Sequence, residues 1–65
     1  MPDVKVMETA TDRVRAEFRA DVDPSDEVAC LALLRRTVTA QRLGSPSDFR
    51  IQVWDQRRGW IEHRT

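Results

Sequence analysis

Trp54 and Trp60 stand on either side of a turn, with Arg50, Arg57, Arg58 and Arg64 around them. Indole rings offer flat apolar surface, and guanidinium groups offer planar, bidentate hydrogen bonding to carboxylate or phosphate. Together these are the residue types that anchor protein interfaces and stack nucleic-acid bases. A second constellation pairs the only cysteine, Cys30, with the only histidine, His63. A thiolate beside an imidazole would do nucleophilic chemistry if a pocket held the two together. Cys30, however, lies mid-helix on an apolar stripe, where a thiol is ordinarily inert and its pKa raised. His63 is two residues from the C-terminus, where fraying is the expectation. The two glycines both fit turns, which leaves none for a phosphate-cradling loop, and a pocket of ordinary size is hard to build beside so small a core. No convergent carboxylate pair and no metal-ligand spacing stand out. The expectation is a protein that is not an enzyme and carries no cofactor or metal.

The chain has 65 residues, 40% hydrophobic and 34% charged, with 11 basic and 11 acidic side chains. That length allows one domain, residues 1–65, and a domain so small buries only about 60% of the surface its unfolded chain exposes. One cysteine cannot staple it internally, so association with a second copy is the cheapest way to bury more. No apolar run approaches the roughly 18 residues of a membrane span, and no basic-then-apolar leader opens the chain. A cytoplasmic protein without a membrane partner is expected. The balanced charge hides an asymmetry: residues 1–30 hold four bases against eight acids, and residues 31–65 hold seven arginines against three acids. With a pI near 6.6, a uniformly basic nucleic-acid binder is disfavoured, though a local basic face is not.

Those side chains must be positioned by a few short elements. Val14, Ala16, Phe18, Ala20 and Val22 alternate with Arg13, Arg15, Glu17, Arg19 and Asp21, which predicts a strand over 13–22 with its apolar side on a core. Val4 and Val6 alternate likewise, and a turn through Thr9 to Thr11 would pair Val6 with Val14 and Val4 with Ala16. Asp23-Pro24-Ser25-Asp26 reads as a helix start capped by Asp23, and Leu43-Gly44-Ser45-Pro46 as its stop, with Gly44 taking the left-handed conformation. Val28, Leu31, Leu34 and Val38, flanked by Cys30 and Thr37, form the apolar stripe of a helix over 24–43. Phe49, Ile51 and Val53 predict a strand over 48–54. Reversal through Asp55–Gly59 then sets Trp54 against Trp60, Val53 against Ile61, Gln52 against Glu62 and Ile51 against His63. With strands at 3–7 and 60–64 added, the expectation is a two-layer α+β domain of ββαββ order. One amphipathic helix packs on one face of a mainly antiparallel four-stranded sheet.

Parity then decides the functional reading. If Phe49, Ile51, Val53 and Ile61 face the helix, Trp54 and Trp60 lie opposite each other on the face away from it. Lys5, Met7, Arg13, Arg15, Glu17, Arg19, Arg50, Gln52, Glu62 and Arg64 share that side, and no residues remain to cover it. The pair could merely stabilise the hairpin, which cross-strand aromatic pairs do by roughly 0.2–1 kcal/mol. It could stack single-stranded nucleic acid, with phosphates on Arg13, Arg15, Arg50, Arg57 and Arg64, although Glu17, Asp21 and Glu62 would repel them. The favoured expectation is a protein-binding module, a small regulator or adaptor that also self-associates as a homodimer. Trp54 and Trp60 are its anchors, Arg50 and Arg64 its rim, and Arg57 and Arg58 its reach from the loop.

Overall fold

The structure, a computed structural model, describes residues 1–65. Its elements are β1 (Asp3–Glu8), β2 (Arg13–Arg19), α1 (Glu27–Ala40), a single 3-10 turn (Pro46–Asp48), β3 (Phe49–Asp55) and β4 (Gly59–His63). The four strands form one sheet in the order β2-β1-β3-β4, with every neighbouring pair antiparallel. One helix packs on one face, so the α+β architecture is the one that the alternation and capping patterns imply. No helix is long and apolar enough to cross a membrane.

Both central strands, β1 and β3, send alternate residues into the core. Val4, Val6, Ile51 and Val53 are fully buried, and Phe49 nearly so, beneath Cys30, Leu34 and Val38 of the helix. The helix meets this surface on the expected side, with the stripe rotated toward its Cys30 and Thr37 flank. Its buried residues are Cys30, Leu34, Thr37 and Val38, at the i, i+4, i+7, i+8 spacing of one face. Val28, expected in the stripe, is 77% exposed. Thr37 takes the place that an aliphatic residue would fill, because its hydroxyl donates to the Leu33 carbonyl at 2.8 Å and so enters the core satisfied.

The helix is also shorter than the 24–43 expected. Asp26 caps it, accepting from the Ala29 N–H at 3.0 Å. Asp23, the expected cap, instead closes a turn with Ser25, accepting from its N–H at 2.9 Å and its hydroxyl at 2.8 Å. These two bonds hold the Asp23 carboxyl below its ordinary value of 3.8. At the other end Arg42, not Gly44, takes the left-handed position, with φ 54°. The N–H groups of Arg42 and Leu43 return to the Thr39 and Val38 carbonyls at 3.2 and 3.0 Å, the paired closure that ends a helix one residue past its cap. Gly44, at φ 134°, serves the loop that follows.

Two corrections concern the first hairpin. Strand β2 stops at Arg19 because its partner begins at Asp3, opposite it. Ala20 and Val22 keep the alternation but have no strand to pair with, and pack at the margin of the core. The register also differs: Val6 pairs with Ala16 and Val4 with Phe18, and a bulge then shifts the ladder so that Met7 opposes Val14. The cause is local. The Asp12 N–H bonds back to the Glu8 carbonyl at 2.9 Å, with Asp12 itself left-handed at φ 56°. Arg15 becomes the extra residue, its guanidinium 2.7 Å from Glu8 and over the ring of Phe49. Past the bulge, side chains change face. Val14 therefore leaves the core side and joins Met7 on the open side of the sheet, 44% exposed.

Candidate interaction face

The β3–β4 hairpin has the expected register: Ile51 opposes His63, Gln52 opposes Glu62, Val53 opposes Ile61 and Trp54 opposes Trp60. Its turn is held by Asp55, whose carboxylate accepts from the N–H groups of Arg57 and Arg58 at 2.8 and 3.2 Å and pairs with the Arg58 guanidinium. The Arg57 N–H is the largest reason the Asp55 carboxyl lies below its ordinary 3.8. Gly59, at φ 80°, closes the turn, with the edge of the Trp54 ring 3.8 Å from where a Cβ would stand. The tip is therefore shaped by Asp55 and Gly59, and Arg58 is tied down there. The Arg57 side chain reaches no carboxylate.

Cross-strand partners share a face, so the ladder gives the open side as three rows. At one end Arg19 and Asp3 are ion-paired at 3.0 Å, and Trp54 and Trp60 continue toward the β4 edge. In the middle lie Glu17, Lys5, Gln52 and Glu62. At the far end lie Val14, Met7 and Arg50. Trp54 and Trp60 are 40% and 38% exposed. Their centroids are 5.4 Å apart and the rings stand edge-on at 71°, the geometry that a ring quadrupole favours. The Lys5 ammonium sits 4.3 Å from the centre of the Trp60 ring.

The arginines divide sharply. Arg50, expected at the rim, is only 8% exposed. Its Nη2 donates to Asp12 across the sheet, which is the main reason its pKa is driven still higher. Its Nε lies 2.9 Å from Glu62 Oε1, yet off the N–H direction, so that pair is ionic and Nε has no hydrogen-bond acceptor. Glu62 also accepts from Arg64 at 2.6 Å and from Gln52 at 3.2 Å. The Arg64 bond is the largest cause of a Glu62 carboxyl below its usual 4.5, opposed by partial burial. Arg64 thus lies at the exposed margin, and Arg50 forms a clamp beneath it. Arg15, bulged out of the ladder, belongs to the Glu8–Phe49 rim.

Cys30 and His63 do approach one point, the backbone of the Asp23–Pro24 turn. The Cys30 thiol donates to the Asp23 carbonyl at 3.3 Å, with the Pro24 carbonyl 3.8 Å away. The His63 Nε2–H donates to that same Pro24 carbonyl at 2.7 Å. Burial, with Asp26 and Asp23 nearby, pushes the Cys30 thiol above its ordinary 9.0. Both groups spend their protons on backbone oxygens, which pins the loop to β4. No three His, Cys, Asp or Glu side chains converge as metal ligands. A hollow of about 650 Å³ does exist, contrary to expectation, between Trp54, Pro24, Val22, Asp3, Arg19 and Arg57. It extends the open face past Trp54. No protein-family model, curated protein or solved structure matches this chain.

Three features of this face are not contained in the sequence pattern. Asp12 carries no role there beyond its charge, yet its left-handed backbone aims its carboxylate at Arg50. Lys5 was counted as outward, but its place on the Trp60 ring needs the β1–β3–β4 order, which alternation does not contain. Val14 was assigned to the core, and only the bulge moves it.

Proposed function

We propose that the protein is a non-catalytic binding module, a small regulator or adaptor that engages another protein surface through the open face of its sheet. One observation carries this reading: two tryptophans, each about two-fifths exposed and locked edge-on, lie on a sheet face that nothing in the chain covers. Rigid, partly exposed aromatic surface beside polar residues is the composition of an interface hot spot. Arg64 is the exposed rim residue of this face, Arg50 stiffens it from below through Asp12 and Glu62, and Arg57 adds a free cation at its end.

The nucleic-acid alternative draws less support. Arg15, Arg19, Arg50 and Arg64 each already hold a carboxylate, so phosphate would have to displace one at each of these four, and only Arg13 and Arg57 of the expected phosphate contacts stand unpaired. Rings standing at 71° to each other offer no pair of parallel stacking planes. The test is capture from a native extract on the immobilised protein, with nuclease, alongside a Trp60→Arg variant whose fold is verified by circular dichroism. Protein recovered in spite of nuclease and lost with the variant supports the reading. Equal recovery by the variant, or recovery of nucleic acid instead, refutes it.

A further inference from the structure

We infer that the occupant of the open face is a second copy of this chain, packed face to face with its strands crossing at about a right angle. The inference rests on the face being a binding surface and names its partner. It follows from where the apolar residues fall. Trp54 and Trp60 occupy one corner of the face, on β3 and β4. Val14 and Met7 occupy the diagonally opposite corner, on β2 and β1. Three strand spacings separate β2 from β4, about 14 Å, and the four residue steps from Trp54 to Arg50 span about 13 Å, so the face is nearly square. A two-fold axis lying along the other diagonal, from the Arg19 corner to the Arg64 corner, exchanges the two apolar corners. Trp60 of each copy then lies on Val14 of the other, with Met7 beside the ring. The same operation turns the strands by about 90°, one of the two ways in which sheets pack.

Charge agrees with this occupant. On the face, Lys5, Arg19, Arg50 and Arg64 are balanced by Asp3, Glu17, Glu62 and the Asp12 carboxylate that reaches in to Arg50. Where the two-fold axis brings Arg19 and Arg64 against their own copies, each arrives with its carboxylate, Asp3 or Glu62, so ion pairs and not bare cations meet, and a strongly acidic or basic partner gains no advantage. Area sets the strength. Four strands of about six residues cover roughly 400 Å² per copy, which places the pair below the 1,200 Å² of stable complexes and among weak, reversible ones. Dissociation in the micromolar range or weaker is expected. The bulge gives the arrangement its second half, because without it Val14 would lie in the core and the Trp corner would have nothing apolar to meet.

Sedimentation equilibrium of the purified protein, up to about millimolar concentration, tests this. Expected are a concentration-dependent dimer for the native chain, a monomer of unchanged circular dichroism for Val14→Glu, and a monomer for Trp60→Arg under conditions where its circular dichroism shows it folded. Mixing the two variants should restore a one-to-one dimer. One contact then remains Trp60 on Val14, and the other becomes an acid opposite a base. A native chain that stays monomeric throughout overturns the inference, as does a dimer that survives Val14→Glu. Dissociation by Val14→Glu without rescue on mixing overturns the crossed geometry. If Trp60→Arg unfolds, Val14→Glu alone still decides, since Val14 is nearly half exposed. A monomeric native chain that nonetheless captures a nuclease-resistant protein through Trp60 would leave the binding-module reading standing and remove only this occupant.

Discussion

Replacing Trp60 with alanine measures how far the aromatic pair belongs to the fold as well as to the face. Trp60 is 38% exposed, so about three-fifths of it is covered. A tryptophan buries roughly 150–250 Å² when enclosed, which puts about 120 Å² at stake here. At about 25 cal/mol per Å² that is ~3 kcal/mol. The edge-on contact with Trp54 adds roughly 0.5–1.5 kcal/mol, and the Lys5 ammonium over the ring about 0.5–1 kcal/mol. Compaction of the unfolded chain trims the area part by about 10–40%. The expected loss is therefore ~3–5 kcal/mol, against a total stability of about 3–10 kcal/mol for a domain of this length. Urea unfolding followed by far-ultraviolet circular dichroism reads it directly. A Lys5→Ala, Trp60→Phe and double-variant cycle isolates the cation contact. A loss below about 1 kcal/mol for Trp60→Ala would mean that the ring does not pack as described. For the same reason a Trp54→Ala, Trp60→Ala double variant should unfold much of the population, and loss of binding in it would not separate fold from interface.

Val28→Ser should change stability by no more than about 0.5 kcal/mol, because Val28 points to solvent; a melting experiment on this variant distinguishes the observed helix stripe from the one read from spacing. Leu34→Ala, at a fully buried position, should cost about 2–5 kcal/mol and leave the chain near its folding midpoint in the same assay. Glu62 carries a depressed pKa in the folded state, so its share of stability is present above its unfolded value near 4.5 and is lost as pH falls through the lower folded value. Native unfolding midpoints should decline on acidification across that window, and Glu62→Gln should flatten the decline. Asp12→Asn keeps a side chain that tolerates the left-handed backbone but removes the charge facing Arg50. A loss of about 1–2 kcal/mol in urea unfolding is expected, and no loss would mean that the clamp contributes nothing.

The elements were legible wherever one physical signal dominated. Phe49, Ile51 and Val53 alternate beside a turn whose length fixes the register, and every pair of that hairpin follows. The helix exists where its spacing and its flanking Asp, Pro and Gly residues put it, but its ends differ, and Val28 leaves the stripe to the Cys30 and Thr37 flank. Asp23 and Asp26 are both acceptable caps by type, and only the hydrogen bonds of Ser25 show that Asp23 is already committed to the preceding turn. Val28 outranks Thr37 on any hydropathy argument. Thr37 wins because its hydroxyl is satisfied within the helix, which a hydropathy index does not record. The β2 alternation, unbroken from Arg13 to Val22, conceals a bulge set by the left-handed Asp12 in the turn and by the pairing of Arg15 with Glu8 across the hairpin, neither of which alternation registers.

The site was legible by parity and obscure in its energetics. Parity puts Trp54 and Trp60 on the open side whatever the detailed packing, but it treats every outward residue as equally available. In a domain with nine core residues that equivalence fails, because so small a core cannot stabilise the sheet alone and the open face must contribute. Arg50 is drawn under by two carboxylates, Lys5 is laid on an indole, and both tryptophans are more than half covered by their neighbours. The residues that identify the face are thus partly structural, and their removal perturbs folding and binding together. Val14 is different. It lies on the face only because the ladder slips by one residue, nearly half of it is exposed, and it stands outside the core cluster. A change confined to Val14 should therefore move association far more than stability, and that separation is what a merely structural tryptophan pair would not produce.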